Sequence, residues 1–111
     1  MKTDRELLEL AAKAAGICLD WEWDGPPDQW QPWYYEGKTL RNWNPLTDDG
    51  DAFRLAVKLS MMTARRININ GEFVIAEIPG RMFEAEPVAE DWYAATRRAV
   101  TRAAAEIGSQ S

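Results

Sequence analysis

Apolar residues recur three and four positions apart in three stretches of the chain, and at every second position in the stretches between them. Leu7, Leu8, Ala11, Ala14 and Ala15 make one helical face. The helix they predict begins near Thr3 or Asp4. Glu6 follows Thr3 at capping-box spacing, and Gly16 stands where a left-handed stop is cheap. Ile17, Leu19, Trp21 and Trp23 then alternate with Cys18, Asp20, Glu22 and Asp24, which predicts a half-buried strand with an acidic outer face. Gly25-Pro26-Pro27-Asp28 ends it, because proline lacks the donor a ladder needs.

Trp33-Tyr34-Tyr35-Glu36 reads as a short strand, and Leu40 to Leu46 as loop. A second helix is expected after Thr47. Asp48, Asp49 and Asp51 crowd its start, where the helix dipole favours negative charge. Its stripe is Ala52, Leu55, Ala56 and Leu59, broadened by Phe53, Val57 and Met61. Arg65–Ile69 and Glu72–Ile78 flank Asn70-Gly71, the strongest short hairpin signal, since both residues tolerate positive φ. Arg81–Glu86 reads as another strand. A third helix is expected to open at Pro87 and close at Gly108, with Val88, Trp92, Ala95, Ala99, Val100, Ala103 and Ile107 on one face. Residues 109–111 are expected to fray.

The order α-β-β-α-β-β-β-α implies an α+β fold. An antiparallel sheet of about four to five strands packs with three helices in a sandwich-like arrangement. The 111 residues suffice for one domain, with residues 24–39 as a Trp- and Pro-rich insert. No internal repeat or low-complexity segment is present.

Composition narrows the chemistry. There is no histidine, which removes His-based acid–base catalysis, Ser-His triads and His–metal sites. The single cysteine, Cys18, excludes an intrachain disulfide and a Cys-rich zinc site. A net charge of −5 argues against nonspecific nucleic-acid binding, which draws its affinity from neutralising phosphates. No apolar run approaches the length of a membrane span, and the charged start Met1–Glu6 precedes no apolar leader segment, so a cytoplasmic setting is expected.

The densest unusual feature is aromatic. Trp21, Trp23, Trp30, Trp33 and Trp43 are five of the six tryptophans and fall within 23 positions, with Tyr34 and Tyr35 among them. Each such ring can bury roughly 150–250 Å². A small domain cannot enclose them all, so some should form a contact surface of the kind that carries binding hot spots. Trp21 and Trp23 are assigned to the core; Trp30, Trp33 and Tyr35 to the surface. The competing reading is a mini-core that wraps the insert onto the sheet. Five acids and no base lie between Ile17 and Glu36. They are either a solvated strand face or part of an acidic-aromatic surface for a basic partner groove. The candidate binding residues are therefore Trp30, Trp33, Tyr34, Tyr35, Trp43, Asp24, Asp28 and Glu36.

Other constellations have plainer explanations. Asp48, Asp49 and Asp51 lack the ligand spacing of a calcium loop and read as helix caps. Asp20, Glu22 and Asp24 could pose as a glycosidase pair, but nothing in the sequence raises either pKa. Arg65, Arg66, Arg97, Arg98 and Arg102 are interleaved with acids and read as salt-bridged faces. Cys18 has no basic neighbour in sequence to activate it. No metal site, cofactor site or catalytic residue is assigned.

Two segments carry a resemblance. Trp43-Asn44-Pro45-Leu46-Thr47-Asp48-Asp49-Gly50-Asp51-Ala52 leads into a helix, and Ala94-Ala95-Thr96-Arg97-Arg98-Ala99-Val100-Thr101-Arg102-Ala103-Ala104 forms an Arg- and Ala-rich last helix. With the N-terminal helix and the Trp-rich segment behind it, this resembles small bacteriophage proteins of the ABA-sandwich kind. The resemblance spans roughly residues 1–23 and 40–107. It departs at Thr101, where the family often carries an apolar residue or cysteine. It implies a phage or prophage origin and a helix–sheet sandwich, and it brings no catalytic residue.

Together these readings lead to an expectation of a non-catalytic, protein-binding accessory protein of phage or prophage. Its partner would be a host or phage protein, and inhibition of a host defence system is one specific version. Self-association is a second use of the same surface. The alternative is a carbohydrate-binding protein or small hydrolase using Trp platforms and carboxylates.

Overall fold

The computed structural model describes residues 2–19, 21, 32–36, 38–68, 71–82, 86–88 and 91–110. The first helix, α1 (Asp4–Ala15), begins and ends as its sequence dictates. The Thr3 side chain accepts from the Glu6 amide, and Gly16 adopts the left-handed conformation at φ 74°, with Ile17 N donating back to Ala12 O at 2.8 Å. Leu7, Leu8, Ala11, Ala12 and Ala15 are its buried residues.

The expected strand at 17–24 does not form where it is described. Ile17, Cys18, Leu19 and Trp21 carry no strand pairing, and residues 20 and 22–24 lie outside the described residues. The apolar members Ile17, Leu19 and Trp21 instead pack on a core of helices. A period of two reports which side of the chain is apolar; it does not supply a backbone partner. The partner strand appears elsewhere. β1 (Trp33–Glu36) pairs antiparallel with β2 (Thr39–Asn42), in the stretch from Leu40 expected to be loop. Only two residues separate the two strands, which favours their pairing.

The helix α2 (Asp49–Lys58) is capped by Asp48, whose side chain accepts from the Asp51 amide at 2.8 Å. β3 (Met62–Asn68) and β4 (Gly71–Ile78) make the expected hairpin, but Asn68 pairs with Gly71. Gly71, expected in the turn, is therefore the first residue of β4. The stretch Arg81–Glu86 yields two short strands, β5 (Arg81–Met82) and β6 (Glu86–Pro87), both paired with β4. Pro87 is thus an edge-strand residue and not the start of the last helix, a place where its missing N–H is tolerated. That helix, α3 (Trp92–Ser109), starts after Asp91, whose carboxylate accepts from Tyr93 N at 2.8 Å.

The fold is α+β with three helices, but the single sheet of about four to five strands is replaced by two sheets. One is the β1–β2 hairpin and the other is built on β4. The insert at 24–39 accordingly contains β1 and the first residue of β2, and Ser109 belongs to α3 and not to a frayed tail.

Helix α3 organises the rest, touching α1, α2, β3, β4 and β6. Ala95, Ala99 and Ala103 lie on one side of it, against Val74 and Ala76 of β4. Val100 and Ala104 point into a second core with Leu8, Ala11, Ala12, Ala15, Trp43 and Leu55. The layers are therefore α1, α3 and sheet. Gly108 does not stop α3; it is buried inside it, and a Cβ there would run into the Leu10 carbonyl. Glycine is required because the two helix backbones meet at that point.

Candidate functional site

The hairpin β1–β2 sorts the expected binding residues by strand alternation. Trp33 and Tyr35 share one face, where they lie opposite Asn42 and Leu40; Tyr34 points the other way and packs on the helical core. Tyr35 is 68% exposed and Leu40 48%. Trp33 is half-buried, and all four residues of β2 are exposed. Directly opposed strand residues are the closest side-chain neighbours in a sheet. Tyr35 and Leu40 thus form one outward apolar pair with Trp33 alongside.

Trp43 does not belong to that surface. It is only 3% exposed and sits in the core with Leu8, Leu55 and Val100. The physical reason is burial: the base of the hairpin lies over the junction of α1, α2 and α3, where the ring is removed from water against Leu8, Leu55 and Val100. Its amide donates to Pro32 O at 2.9 Å, which fastens the base of the hairpin. Trp30, Asp24 and Asp28 lie outside the described residues, as do Trp23, Asp20 and Glu22. Glu36 is in β1 opposite Thr39. The hairpin also bears exposed Lys38 and Arg41, so its described part is mixed in charge and not purely acidic.

The segment Asn44–Asp51 is a cap. Asn44 Oδ1 accepts from Leu46 N at 3.0 Å, and Asn44 O accepts from the Asp48 amide at 2.9 Å. The buried Asp51 carboxylate accepts from Asn44 N at 2.9 Å and from Arg54 at 2.7 Å. These contacts account for the aspartates without a cation, and among the described residues no group of three metal-ligating side chains occurs. The arginines are largely paired as expected. Arg97 reaches Asp49 at 2.6 Å and Leu46 O at 3.0 Å, Arg98 reaches Asp4 at 3.3 Å, and Arg65 reaches Glu72 at 2.6 Å. Cys18 is an exposed free thiol.

A second feature has no counterpart among the expected sites. Between α2, β3 and the first turns of α3 lies an open groove of about 660 Å³. Ala52, Val74 and Val100 form its buried floor, and Phe53, Trp92 and Tyr93 supply its rings. Phe53 is 70% exposed and Tyr93 69%. Small side chains at Ala56, Thr63 and Ala64 keep it hollow. Arg65 stands on its wall, stacked 3.9 Å above the centre of the Trp92 ring and half exposed. One sequence signal pointed here: Phe53 and Val57 widen the α2 stripe beyond what a single neighbouring element can cover, and the structure leaves both exposed.

No helix among the described residues is long and apolar enough to cross a membrane. No protein-family model, curated protein or solved structure matches the chain.

Proposed function

We propose that this chain is a non-catalytic protein-binding module whose contact surface is the outer face of the β1–β2 hairpin. The observation that carries the reading is the opposed pair Tyr35 and Leu40, large apolar side chains that are both directed outward on a sheet of only two strands. Such a pair gains from burial against a partner, at roughly 25 cal/mol per Å² of apolar surface removed from water. Lys38 and Arg41 add positive charge to a surface first expected to be acidic, so the partner patch should be apolar with a mixed rim. The resemblance of residues 43–52 and 94–104 to small bacteriophage proteins of the ABA-sandwich kind favours a host or phage protein as that partner, with inhibition of a host defence system as one specific version. Self-association through the same face is the nearest competitor.

The test compares wild type with the Tyr35→Ala/Leu40→Ala double variant and with Phe53→Ala, in quantitative co-purification from host lysate and in sedimentation. The hairpin variant should lose a partner that the wild type and Phe53→Ala both retain. Concentration-dependent dimerisation lost only in the hairpin variant would point to self-association. Equal recovery by all three proteins, with all three monomeric, would exclude the hairpin as the site.

A further inference from the structure

We infer that the groove between α2, β3 and α3 is a binding site for a small aryl carboxylate, built from different residues than the hairpin. The groove's volume of about 660 Å³ falls within the range of small-molecule sites, roughly 300–1,000 Å³. Its interior is apolar and its exposed walls are flat rings, Phe53 and Tyr93, which favour an aromatic body over a flexible chain.

The guanidinium donors on the wall select the head group. Two arginines line this groove, Arg65 and Arg97, each paired with one acid, Glu72 and Asp49. The two arginines differ. Arg97 is largely buried and committed to Asp49 and the Leu46 carbonyl, so it is a strut between α3 and the start of α2. Arg65 is held from two sides, by Glu72 at 2.6 Å and by the Trp92 ring beneath it, while its side chain stays 53% exposed. Among the described residues, Glu72 takes one of the five donor hydrogens of its guanidinium. The fork is thus fixed in place with donors left over, which is the arrangement that recognises a carboxylate. An aryl group seated over Val74 and Val100 would bring its carboxylate to this fork.

The experiment titrates the full chain with 2-naphthoate and, separately, with neutral 2-naphthamide, by calorimetry and amide-resolved NMR. The acid should bind saturably at one site, with shifts centred on Phe53, Thr63, Arg65 and Tyr93. The amide should bind about tenfold more weakly, because its carbonyl still accepts from the guanidinium but without the ion-pair attraction. Arg65→Gln should weaken the acid more than the amide and remove the tenfold difference between them. Thr63→Phe, a substitution at an exposed strand position that fills the groove, should abolish both, with circular dichroism confirming that each variant folds. The proposal is overturned if the acid does not saturate, if acid and amide bind alike, or if binding survives both substitutions.

Discussion

The two ends of α3 are packed by different rules. In its second half Ala103, Ala104 and Ala105 are sealed from solvent, and Gly108 lies against the backbone of α1. In its first two turns Trp92, Tyr93, Thr96 and Arg97 stand around an open groove. Both ends belong to one continuous helix, so backbone geometry is not the cause. Side-chain size is. Alanine and glycine let two helix axes approach until no space remains, whereas rings and guanidinium groups hold neighbouring elements apart and leave a hollow between them. The closed end is therefore where stability should be concentrated, and the open end where side chains are available to something else.

The closed end can be broken by one methyl group. Gly108→Ala adds a Cβ that meets the Leu10 carbonyl, so α1 and α3 must separate. Helix propensity favours the alanine by about 1 kcal/mol, but overpacking against rigid backbone should outweigh it and leave a net loss of about 2 kcal/mol. Urea denaturation measures this directly. A variant as stable as wild type would mean that the helices are not in such close contact.

The open end depends on polar contacts instead. Asp51→Ala removes the acceptor for the Asn44 amide, and the turn that sets the start of α2 loses its anchor. The expected cost is about 1.5–2 kcal/mol, since a partly buried amide is left without its charged acceptor. Asp51→Asn, which retains one acceptor oxygen, should lose less. Arg54 is mostly exposed, so its ion pair with Asp51 contributes little to the difference. A cost from Asp51→Ala no larger than from Asp51→Asn would show that this turn is held by its other hydrogen bonds.

How far each region could be read from the sequence follows the same division. The boundaries of α1 were legible because Thr3, Glu6 and Gly16 act locally, through hydrogen bonds within a few residues. The caps at Asp48 and the aspartates behind it were legible for the same reason. The β3–β4 hairpin is legible in outline, but Gly71, expected in its turn, pairs as the first residue of β4, because pairing along the whole ladder decides register. The strand expected at 17–24 is absent from its described residues, 17–19 and 21, and the loop expected over 40–46 holds from Trp43 onward while Leu40, Arg41 and Asn42 join β2. Whether an alternating segment joins a ladder depends on a partner elsewhere in the chain. A glycine near a helix end predicts a stop, but the reason for Gly108 lies in α1, about a hundred positions away. The candidate surface was half legible. Tyr35 is exposed as expected, but Tyr34 and Trp43, expected at the same surface, pack into the core: adjacent strand residues face opposite ways, and Trp43 lies where three helices converge. The groove was not anticipated at all. No single segment encodes it; it arises between three elements far apart in sequence.

The smallest expected effect is the sharpest check on that division. Phe53 is among the largest apolar residues of α2, and an apolar stripe would ordinarily place it in a core. In the fold it is exposed at the lip of the groove, although its neighbour Ala52 is buried. Phe53→Ala should therefore change stability by no more than about 0.5 kcal/mol, the range of an exposed substitution, against about 3–5 kcal/mol for an enclosed phenylalanine. The alanine's higher helix propensity would offset even part of that small loss. A large loss would mean that the ring is covered, and the groove would then be a closed part of the core. A negligible loss, combined with weaker retention of 2-naphthoate, would show that a residue spared from folding is used for recognition.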